Sequence, residues 1–170
     1  MVVVVDGREQ KPYRFLDAGA DIEVVPGSLQ TGDYSVRGFE NEVACERKEL
    51  SDLVGCLGSD RERFLKEIAR ARGMRFVVVV EAAYADLAEG RYRSKLHPAS
   101  ACASVAAIQA RYGVPFMFAG SRDAAERFVA TFLRQFLKGK IHAMEAARDA
   151  LQGNMPGQRL PVFSSCQGLH

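Results

Sequence analysis

Three continuously apolar runs, rich in β-branched and aromatic residues, constrain the fold of this chain more than any other feature. They are VVVV at 2–5, RFVVVV at 75–80 and PFMFA at 115–119. Uninterrupted apolar runs of this length are typical of strands that are buried on both faces, as in sheets covered by helices on two sides. The pattern therefore predicts three central strands in an α/β domain.

Three further segments have strand character and follow one another closely. IEVV at 22–25, DYSV at 33–36 and NEVACE at 41–46 are bounded by glycine, proline and asparagine, which are the residues of tight turns. This spacing predicts an antiparallel meander. Together with the three apolar runs, it indicates an α/β fold class with a mixed central β-sheet flanked by helices.

Three segments carry apolar residues at helical spacing. The first covers 59–72, with Ser59 in position to cap it, the second begins after HPAS and ends near Tyr112, and the third covers 121–138. The third contains an unbroken apolar stripe that includes Phe128, Phe132 and Phe136. We favour burial of this stripe in the core over contact with a second subunit.

The length and composition predict a single folded domain. The chain has 170 residues, of which 48% are hydrophobic and 26% are charged, as is usual for globular proteins. No apolar run approaches the roughly 18 residues of a membrane span and the amino terminus lacks a basic leader, so a cytoplasmic location is expected. Beyond Gly139 a helical stretch precedes turn residues, which places the domain at 1–138 and a C-terminal helix with an irregular tail at 139–170.

Charged residues directly follow a predicted strand in VACERKELSDL at 43–53. Because side chains alternate along a strand, Glu46 and Lys48 are expected on one side and Arg47 on the other. A carboxylate that binds a divalent metal, beside an ammonium that orients water and stabilises negative charge, is suited to phosphodiester hydrolysis. The segment therefore predicts a catalytic site at the end of a buried strand.

A second carboxylate is expected from a neighbouring strand. Magnesium usually takes one or two protein carboxylates together with water and phosphate oxygens. Asp33 opens the strand that is predicted to pair with NEVACERK, so it is the expected partner of Glu46. Asp6 and Glu9 follow the first apolar strand, at the end where open α/β sheets usually bind ligands.

The segments VDGRE, GDYSV, ERKELSD and GSDRERF together resemble the XPF-type structure-specific nucleases, whose signature is Gly-Asp followed at a distance by Glu-Arg-Lys and, three residues on, by Asp. In this chain the signature falls on Gly32, Asp33, Glu46, Arg47, Lys48 and Asp52. The resemblance runs from about Val2 to about Leu137, and the chain looks like the shorter members found in phages and bacteria. It implies a restriction-endonuclease-like core.

The resemblance also implies how the central residues act. Asp33 and Glu46 would hold Mg²⁺ or Mn²⁺, with the main-chain carbonyl of Arg47 as a further ligand. Lys48 would address the attacking water, and Arg47 would brace the site.

Further implications concern the surroundings of the site. Asp6 and Glu9 would lie near a second metal position, and Asp52 would support the site from the start of the following helix. Many relatives add a tandem helix-hairpin-helix domain that grips DNA, and no such repeats are visible in this sequence. Substrate grip would then come from the nuclease core itself, from a homodimer or from a partner.

The second half of the chain has an excess of basic over acidic residues, whereas the first half has an excess of acidic residues. Residues 1–85 contain 12 Lys/Arg and 15 Asp/Glu, whereas residues 86–170 contain 11 and 6. Basic side chains with an interleaved aromatic ring are typical of nucleic-acid contacts, and an ordinary solvated surface is the alternative. The candidate contacts are Arg61, Arg63, Arg91, Tyr92, Arg93 and Lys95.

The sequence favours a metal-dependent DNA endonuclease that hydrolyses phosphodiester bonds. The resemblance places its substrates among branched, flap or fork DNA structures, in phage recombination or in DNA repair. Two alternatives stay open. A non-catalytic DNA-binding scaffold with a nuclease fold should lack part of the acid and lysine set, of which this chain lacks none. A nuclease that acts on another nucleic acid, such as RNA, is not separated by any sequence feature.

Overall fold

The computed structural model describes residues 1–16 and 21–152. The strands are β1 (Val2–Asp6), β2 (Glu23–Gly27), β3 (Tyr34–Val36), β4 (Val43–Lys48), β5 (Arg75–Val80) and β6 (Phe116–Phe118). The helices are α1 (Leu50–Leu57), α2 (Arg61–Arg70), α3 (Tyr84–Ala88), α4 (Pro98–Tyr112) and α5 (Arg122–Leu151). A compact unit covers Met1–Leu137 and a second unit begins at Lys138. The predicted irregular tail lies, from residue 153 on, outside the described residues.

The six strands form one mixed sheet in the order β2-β1-β3-β4-β5-β6. β1 pairs parallel with β2, and β4, β5 and β6 also pair parallel, while β3 runs antiparallel to both of its neighbours. The carboxyl ends of β1, β4, β5 and β6 therefore meet the start of β3 at the same end of the sheet. We call this the motif end, because the Gly-Asp and Glu-Arg-Lys residues lie there.

Two strand predictions are wrong in their placement. The segment at 22–25 forms β2, which lies parallel to β1 at one edge of the sheet and does not join an antiparallel meander with β3 and β4. The run at 115–119 forms β6 at the other edge and is only half-buried, with Met117 exposed. One side of β6 packs against aromatic rings of neighbouring helices, such as Phe64 of α2. An apolar run alone does not show whether a strand is buried on one face or on both.

Helices cover both faces of the sheet. Alternation along β5 sends Val78 and Val80 to one face and Val77 and Val79 to the other. The first face packs against α1, α2 and α4 and the second against α5, through Leu53, Phe64, Ile108, Val129 and Leu133. Full burial of each of these large side chains contributes about 1.5–3 kcal/mol. The predicted mixed sheet between helical layers is confirmed.

The helix predictions differ from the structure at their ends. The helix predicted from residue 59 begins at Arg61 after Asp60, and Ser59 does not cap it, because the N–H of Asp60 instead donates to the carbonyl of Gly55 in a tight turn. Gly139 does not end a helix, since α5 covers both stretches that were predicted separately. A single helical glycine costs only about 1 kcal/mol, which a long helix tolerates. Of the helices in the described residues, none is both long and apolar enough to cross a membrane.

The aromatic stripe of α5 is partly buried. Phe128, Phe132 and Phe136 pack at the border of the core formed on the second face of the sheet, and Phe136 also meets the ring of Phe39 edge-on. The fully buried positions of this helix are the smaller residues Ala125, Val129, Ala130 and Leu133. The stripe therefore contributes to the core, as expected, although its rings stay partly exposed.

Candidate active site

Gly32 brings Asp33 to the motif end. Its φ is +80°, and a Cβ atom there would lie 2.8 Å from the Cβ of Ala44 and 3.2 Å from the carbonyl oxygen of Cys45, so both conformation and space require glycine. The N–H of Asp33 donates to the Cys45 carbonyl (2.8 Å), and its own carbonyl accepts from the N–H of Asp6 (2.9 Å). Asp33 is thus fixed between β1 and β4.

Asp33, Glu46 and Lys48 come together at this point. Oδ2 of Asp33 accepts a hydrogen bond from the N–H of Arg47 (2.7 Å), and Oε1 of Glu46 accepts one from Nζ of Lys48. The ammonium of Lys48 also lies 5.8 Å from the centre of the Phe64 ring, within the range of a cation–π contact. The second oxygen of Glu46, Oε2, is buried and has no hydrogen-bond partner among the described residues.

The charges of this group are not balanced. Burial, with the added charges of Glu9 and Glu67, raises the pKa of Asp33 to about 6. Burial and the neighbouring Asp33 raise the pKa of Glu46 to about 8, although Lys48 acts in the opposite direction. The two carboxylates thus resist being charged together, which indicates that the site lacks positive charge.

Lys48 supplies a permanent positive charge. Burial acts to lower the pKa of its ammonium, but the charge and hydrogen bond of Glu46 outweigh burial, and the pKa lies above its usual value. Lys48 is therefore protonated at neutral pH and can donate hydrogen bonds but not accept a proton.

The two carboxylates fit a hard divalent cation. They face a cavity of about 270 Å³ lined by Glu9, Gln10, Lys11, Asp33, Glu46, Arg47, Lys48, Glu49 and Asp52, which we call the catalytic cavity. A buried carboxylate oxygen without a hydrogen-bond partner can act as a ligand to such an ion, which would compensate its missing hydrogen bond. Within residues 1–16 and 21–152, no three His, Cys, Asp or Glu side chains are grouped around one metal position. Two protein carboxylates, such as Asp33 and Glu46, are a number that Mg²⁺ accepts.

Arg47 lies on the opposite side of β4 and is surrounded by carboxylates. Its guanidinium makes two hydrogen bonds to Glu81 (2.7 and 2.9 Å) and one to Glu49 (2.9 Å), and it lies 3.6 Å from Glu9. Arg122 from the start of α5 also pairs with Glu81 (3.0 Å). These buried ion pairs hold the end of β4 against β5 and α5.

The remaining predicted site residues take different positions. Glu9 and Asp52 line the catalytic cavity, Glu9 with its carboxylate near Arg47 and Asp52 exposed in the first turn of α1. Asp6 does not line it. Both oxygens of Asp6 accept hydrogen bonds from Arg8, and Oδ2 also accepts one from the N–H of Leu29 (2.7 Å). The structure therefore brings Asp33, Glu46, Lys48, Glu9 and Asp52 together and leaves Asp6 apart.

A model of the ERCC4 domain matches residues 5–132 of the chain. The chain belongs to the ERCC4 domain family. Two solved structures are similar to it: XPF from Aeropyrum pernix, with 26% identity and a TM-score of 0.62 over 78% of this chain and 65% of that chain, and the same XPF in complex with DNA, with 25% identity and a TM-score of 0.62 over 82% and 66%. The chain spans just under two thirds of the length of those proteins. A search of curated proteins found no match.

These matches confirm the predicted resemblance to XPF-type nucleases and the restriction-endonuclease-like fold of this ERCC4 domain. The similarity to the XPF structure extends over the mixed six-stranded sheet and the helices on its two faces.

The residues predicted to contact nucleic acid differ in whether their charged groups already pair with other residues of this ERCC4 domain. Arg91 pairs with Asp86 (2.7 Å) and with Glu89, and Arg63 lies 3.6 Å from Asp60. The hydroxyl of Tyr92 donates to the carbonyl of Leu96 (3.0 Å), and its ring packs at the border of the core. The other three, for which no ion pair occurs within the described part of the chain, are Arg61, Arg93 and Lys95.

Several residues of the site were not predicted from the sequence. Glu81 follows the apolar run of β5 as Glu46 follows that of β4, so the strand-end argument could have found it. The charge of Glu67 in α2 acts to raise the pKa of both Asp33 and Glu46, and its main-chain carbonyl accepts a hydrogen bond from Thr31 (3.3 Å). Arg122 gives no local signal, because its contacts with the motif end depend on how α5 packs.

Proposed function

We propose that this ERCC4 domain is a divalent-metal-dependent endonuclease that hydrolyses phosphodiester bonds in DNA, at branched, flap or fork structures. The observation that carries the proposal is the pair of half-buried Asp33 and buried Glu46, short of positive charge, beside a protonated Lys48 at the motif end of a nuclease fold. A similar protein, XPF from Aeropyrum pernix, is known in complex with DNA, which supports DNA as the substrate.

Asp33 and Glu46 are the residues that would hold Mg²⁺ or Mn²⁺. A bound ion of this kind polarises a phosphate oxygen and lowers the pKa of a coordinated water. The Arg47 carbonyl, and Glu9 beside the cavity, stay predictions as further ligands. Asp6 is a weaker candidate for a second metal position, because Arg8 and Leu29 already engage its carboxylate.

Lys48 acts through its charge and its hydrogen bonds. Because it stays protonated, it can donate to the attacking water or to a phosphate oxygen and stabilise the negative charge that develops during the attack. Glu46 and the Phe64 ring hold its ammonium in place. Arg47 fixes the strand that carries both groups, through its pairs with Glu81 and Glu49.

The experiment is a cleavage assay on a substrate panel. Wild-type protein and the Lys48→Ala variant are incubated with labelled flap, fork, nicked and plain duplex DNA, and with RNA of the same sequences, in Mg²⁺, Mn²⁺ or EDTA. We expect metal-dependent cleavage of branched DNA that is lost in the variant. The matched control is Lys66→Ala, which removes an exposed lysine of α2 that pairs with Glu62 on the same helix.

The alternatives correspond to other outcomes of the same panel. Tight DNA binding without cleavage in either metal would support the non-catalytic scaffold. Preferred cleavage of RNA would make RNA the substrate instead of DNA. Equal cleavage by wild type and Lys48→Ala would contradict the proposed active site. A homodimer and a cytoplasmic location stay predictions, of which sedimentation of the purified protein tests the first.

A further inference from the structure

The segment from Gln10 to Leu16 crosses the motif end with alternating orientation. Tyr13 and Phe15 are buried, with their rings packed against that of Tyr34. Arg14 and Leu16, between and beyond them, are exposed. The buried rings thus anchor the segment and direct Arg14 away from the core.

Hydrogen bonds fix this segment along its length. Nη2 of Arg122 donates to the carbonyls of Lys11 (2.7 Å) and Pro12 (3.1 Å). The N–H of Tyr13 donates to the hydroxyl of Tyr34 (2.9 Å), and the N–H of Phe15 donates to the carboxylate of Glu126. The surface that the segment presents is therefore preorganised, which reduces the entropy cost of binding a ligand.

A second cavity lies beside the catalytic cavity at this segment. It has a volume of about 460 Å³ and is lined by Gln10, Lys11, Pro12, Arg14, Leu16, Arg122 and Glu126; we call it the basic cavity. Gln10 and Lys11 line both cavities, so a single stretch of chain separates them. A ligand that extends out of the catalytic cavity across Lys11 enters the basic cavity.

The charge of the basic cavity is positive. Among the described residues its lining contains Lys11, Arg14 and Arg122 but one carboxylate, Glu126, which already accepts a backbone hydrogen bond. The catalytic cavity has the opposite balance, with five carboxylates and three cations in its lining. An anionic chain that extends from the catalytic cavity across Lys11 therefore reaches a lining with an excess of positive charge.

Arg14 is the cation that is available to a ligand. It makes no hydrogen bond or ion pair with any residue in 1–16 or 21–152, whereas Lys11 pairs with Glu49 (2.8 Å) and Arg122 with Glu81. An exposed guanidinium on a rigid segment suits a phosphate group, which it can bind with two parallel hydrogen bonds.

We propose that the basic cavity binds the phosphodiester backbone of the nucleic-acid strand that leaves the catalytic cavity, with Arg14 as its principal phosphate ligand and Lys11 at the junction of the two cavities. This inference rests on the proposed function. It adds the direction in which the nucleic-acid strand leaves the catalytic cavity. Contacts of this kind are independent of base sequence, so they set affinity and register.

The test measures binding separately from cleavage. Fluorescence anisotropy with a labelled flap DNA, in Ca²⁺ or EDTA to suppress cleavage, gives the affinity of wild type and Arg14→Ala over a range of KCl concentrations. We expect Arg14→Ala to weaken binding several-fold and to reduce the slope of log K against log [KCl] by about 0.7–0.9, the value for one phosphate contact. The control is Arg37→Ala, an exposed arginine that follows β3 at the opposite end of the sheet.

Each other outcome has a defined meaning. An unchanged slope in Arg14→Ala, together with cleavage by wild type, would overturn this inference and leave the proposed function standing. Wild-type protein that neither binds nor cuts nucleic acid would overturn both. Binding of a poly-glutamate peptide that is lost in Arg14→Ala, with DNA affinity unchanged, would assign the cavity to an acidic protein segment.

A second measurement locates the phosphate. Flap DNAs in which one phosphate at a time is replaced by an uncharged methylphosphonate are compared on wild type and Arg14→Ala. We expect one position near the cut to weaken binding by wild type but to have no further effect on the variant, since both changes remove the same contact. Additive losses at every position would contradict a phosphate contact by Arg14.

Discussion

Two groups of carboxylates lie at the motif end of the sheet and differ in how their charge is satisfied. Asp6, at the end of β1, is enclosed by donors: its two oxygens accept hydrogen bonds from Arg8 and from the N–H of Leu29. Asp33 and Glu46 share the single ammonium of Lys48, and one oxygen of Glu46 has no partner among the described residues. From the sequence, metal contacts are expected from all three acids, Asp33 and Glu46 at one position and Asp6 near a second.

The pKa values follow the same division. Burial acts to raise the pKa of Asp6, but the hydrogen bonds from Arg8 and Leu29 outweigh it and the pKa is lowered. For Asp33 and Glu46 burial prevails, and the pKa values rise to about 6 and about 8. The hydrogen bonds of Asp6 stabilise its charged form, whereas those of Asp33 and Glu46 do not outweigh burial, which makes this pair the candidate to bind a further cation. Four variants and conditions test this distinction.

The largest effect is expected for Glu46→Gln. Loss of one of the two carboxylates proposed to bind the metal should reduce the cleavage rate by roughly 10³-fold, equivalent to several kcal/mol of barrier. In EDTA at pH 8 the variant should unfold at a temperature no lower than that of wild type, because an amide removes a charge that burial opposes. Single-turnover rates and thermal unfolding measure the two properties. A large loss of stability would instead place Glu46 with Asp6 as a structural acid.

The next effect is expected for Lys48→Met, which keeps much of the side-chain volume. Removing a donor that stabilises developing negative charge should reduce the cleavage rate by about 10²–10³-fold. Because Asp33 and Glu46 then lose the nearby charge of Lys48, the metal-free variant should also lose more stability than wild type as the pH rises from 5 to 8. Lys66→Met is the matched control. A loss no larger than that of wild type over this pH range would mean that Lys48 does not compensate the pair.

The order of the strands explains how much of this site the sequence could predict. Alternation along β4 was sufficient to separate Glu46 and Lys48 from Arg47, and pairing of β3 with β4 was sufficient to bring Asp33 to Glu46. Neither inference needs more than local geometry and one strand pair. The family was predicted from the resemblance of the motif segments, and the fold class from the order of the apolar runs and the helical segments.

The parts that the sequence did not predict depend on long-range packing. Whether Asp6 is engaged by Arg8 or points into the cavity depends on where the loop before β3 places Leu29. Arg122 reaches Glu81 and the carbonyl of Lys11 only because α5 packs on the second face of the sheet. The positions of β2 and β6 at the edges likewise follow from chain connections that apolar periodicity does not encode.

A moderate effect, on stability more than on catalysis, is expected for Asp6→Asn. The amide group would face donors from Arg8 and Leu29, so at least one charge-assisted hydrogen bond is lost, at a cost of about 1.5–3 kcal/mol in the free energy of unfolding. The cleavage rate should stay within about tenfold of wild type. Urea unfolding and initial rates measure both. A loss of rate as large as that of Glu46→Gln, with unchanged stability, would return Asp6 to a metal position.

The smallest effect concerns metal and pH without mutation. The raised pKa values of Asp33 and Glu46 mean that, in the absence of metal, both groups contribute stability that is complete below their ordinary pKa and is lost as the pH rises through about 6 and about 8. Asp6, with a lowered pKa, contributes in the opposite direction, since its stabilisation is lost only as the pH falls.

A cation bound by Asp33 and Glu46 would take the place of the protons on their carboxyl groups. Mg²⁺ or Mn²⁺ should therefore raise the unfolding temperature by a few degrees at pH 8 and by little at pH 5. Calorimetry of wild type and Glu46→Gln at both pH values measures this, and equal stabilisation of the two proteins would show that the ion binds elsewhere.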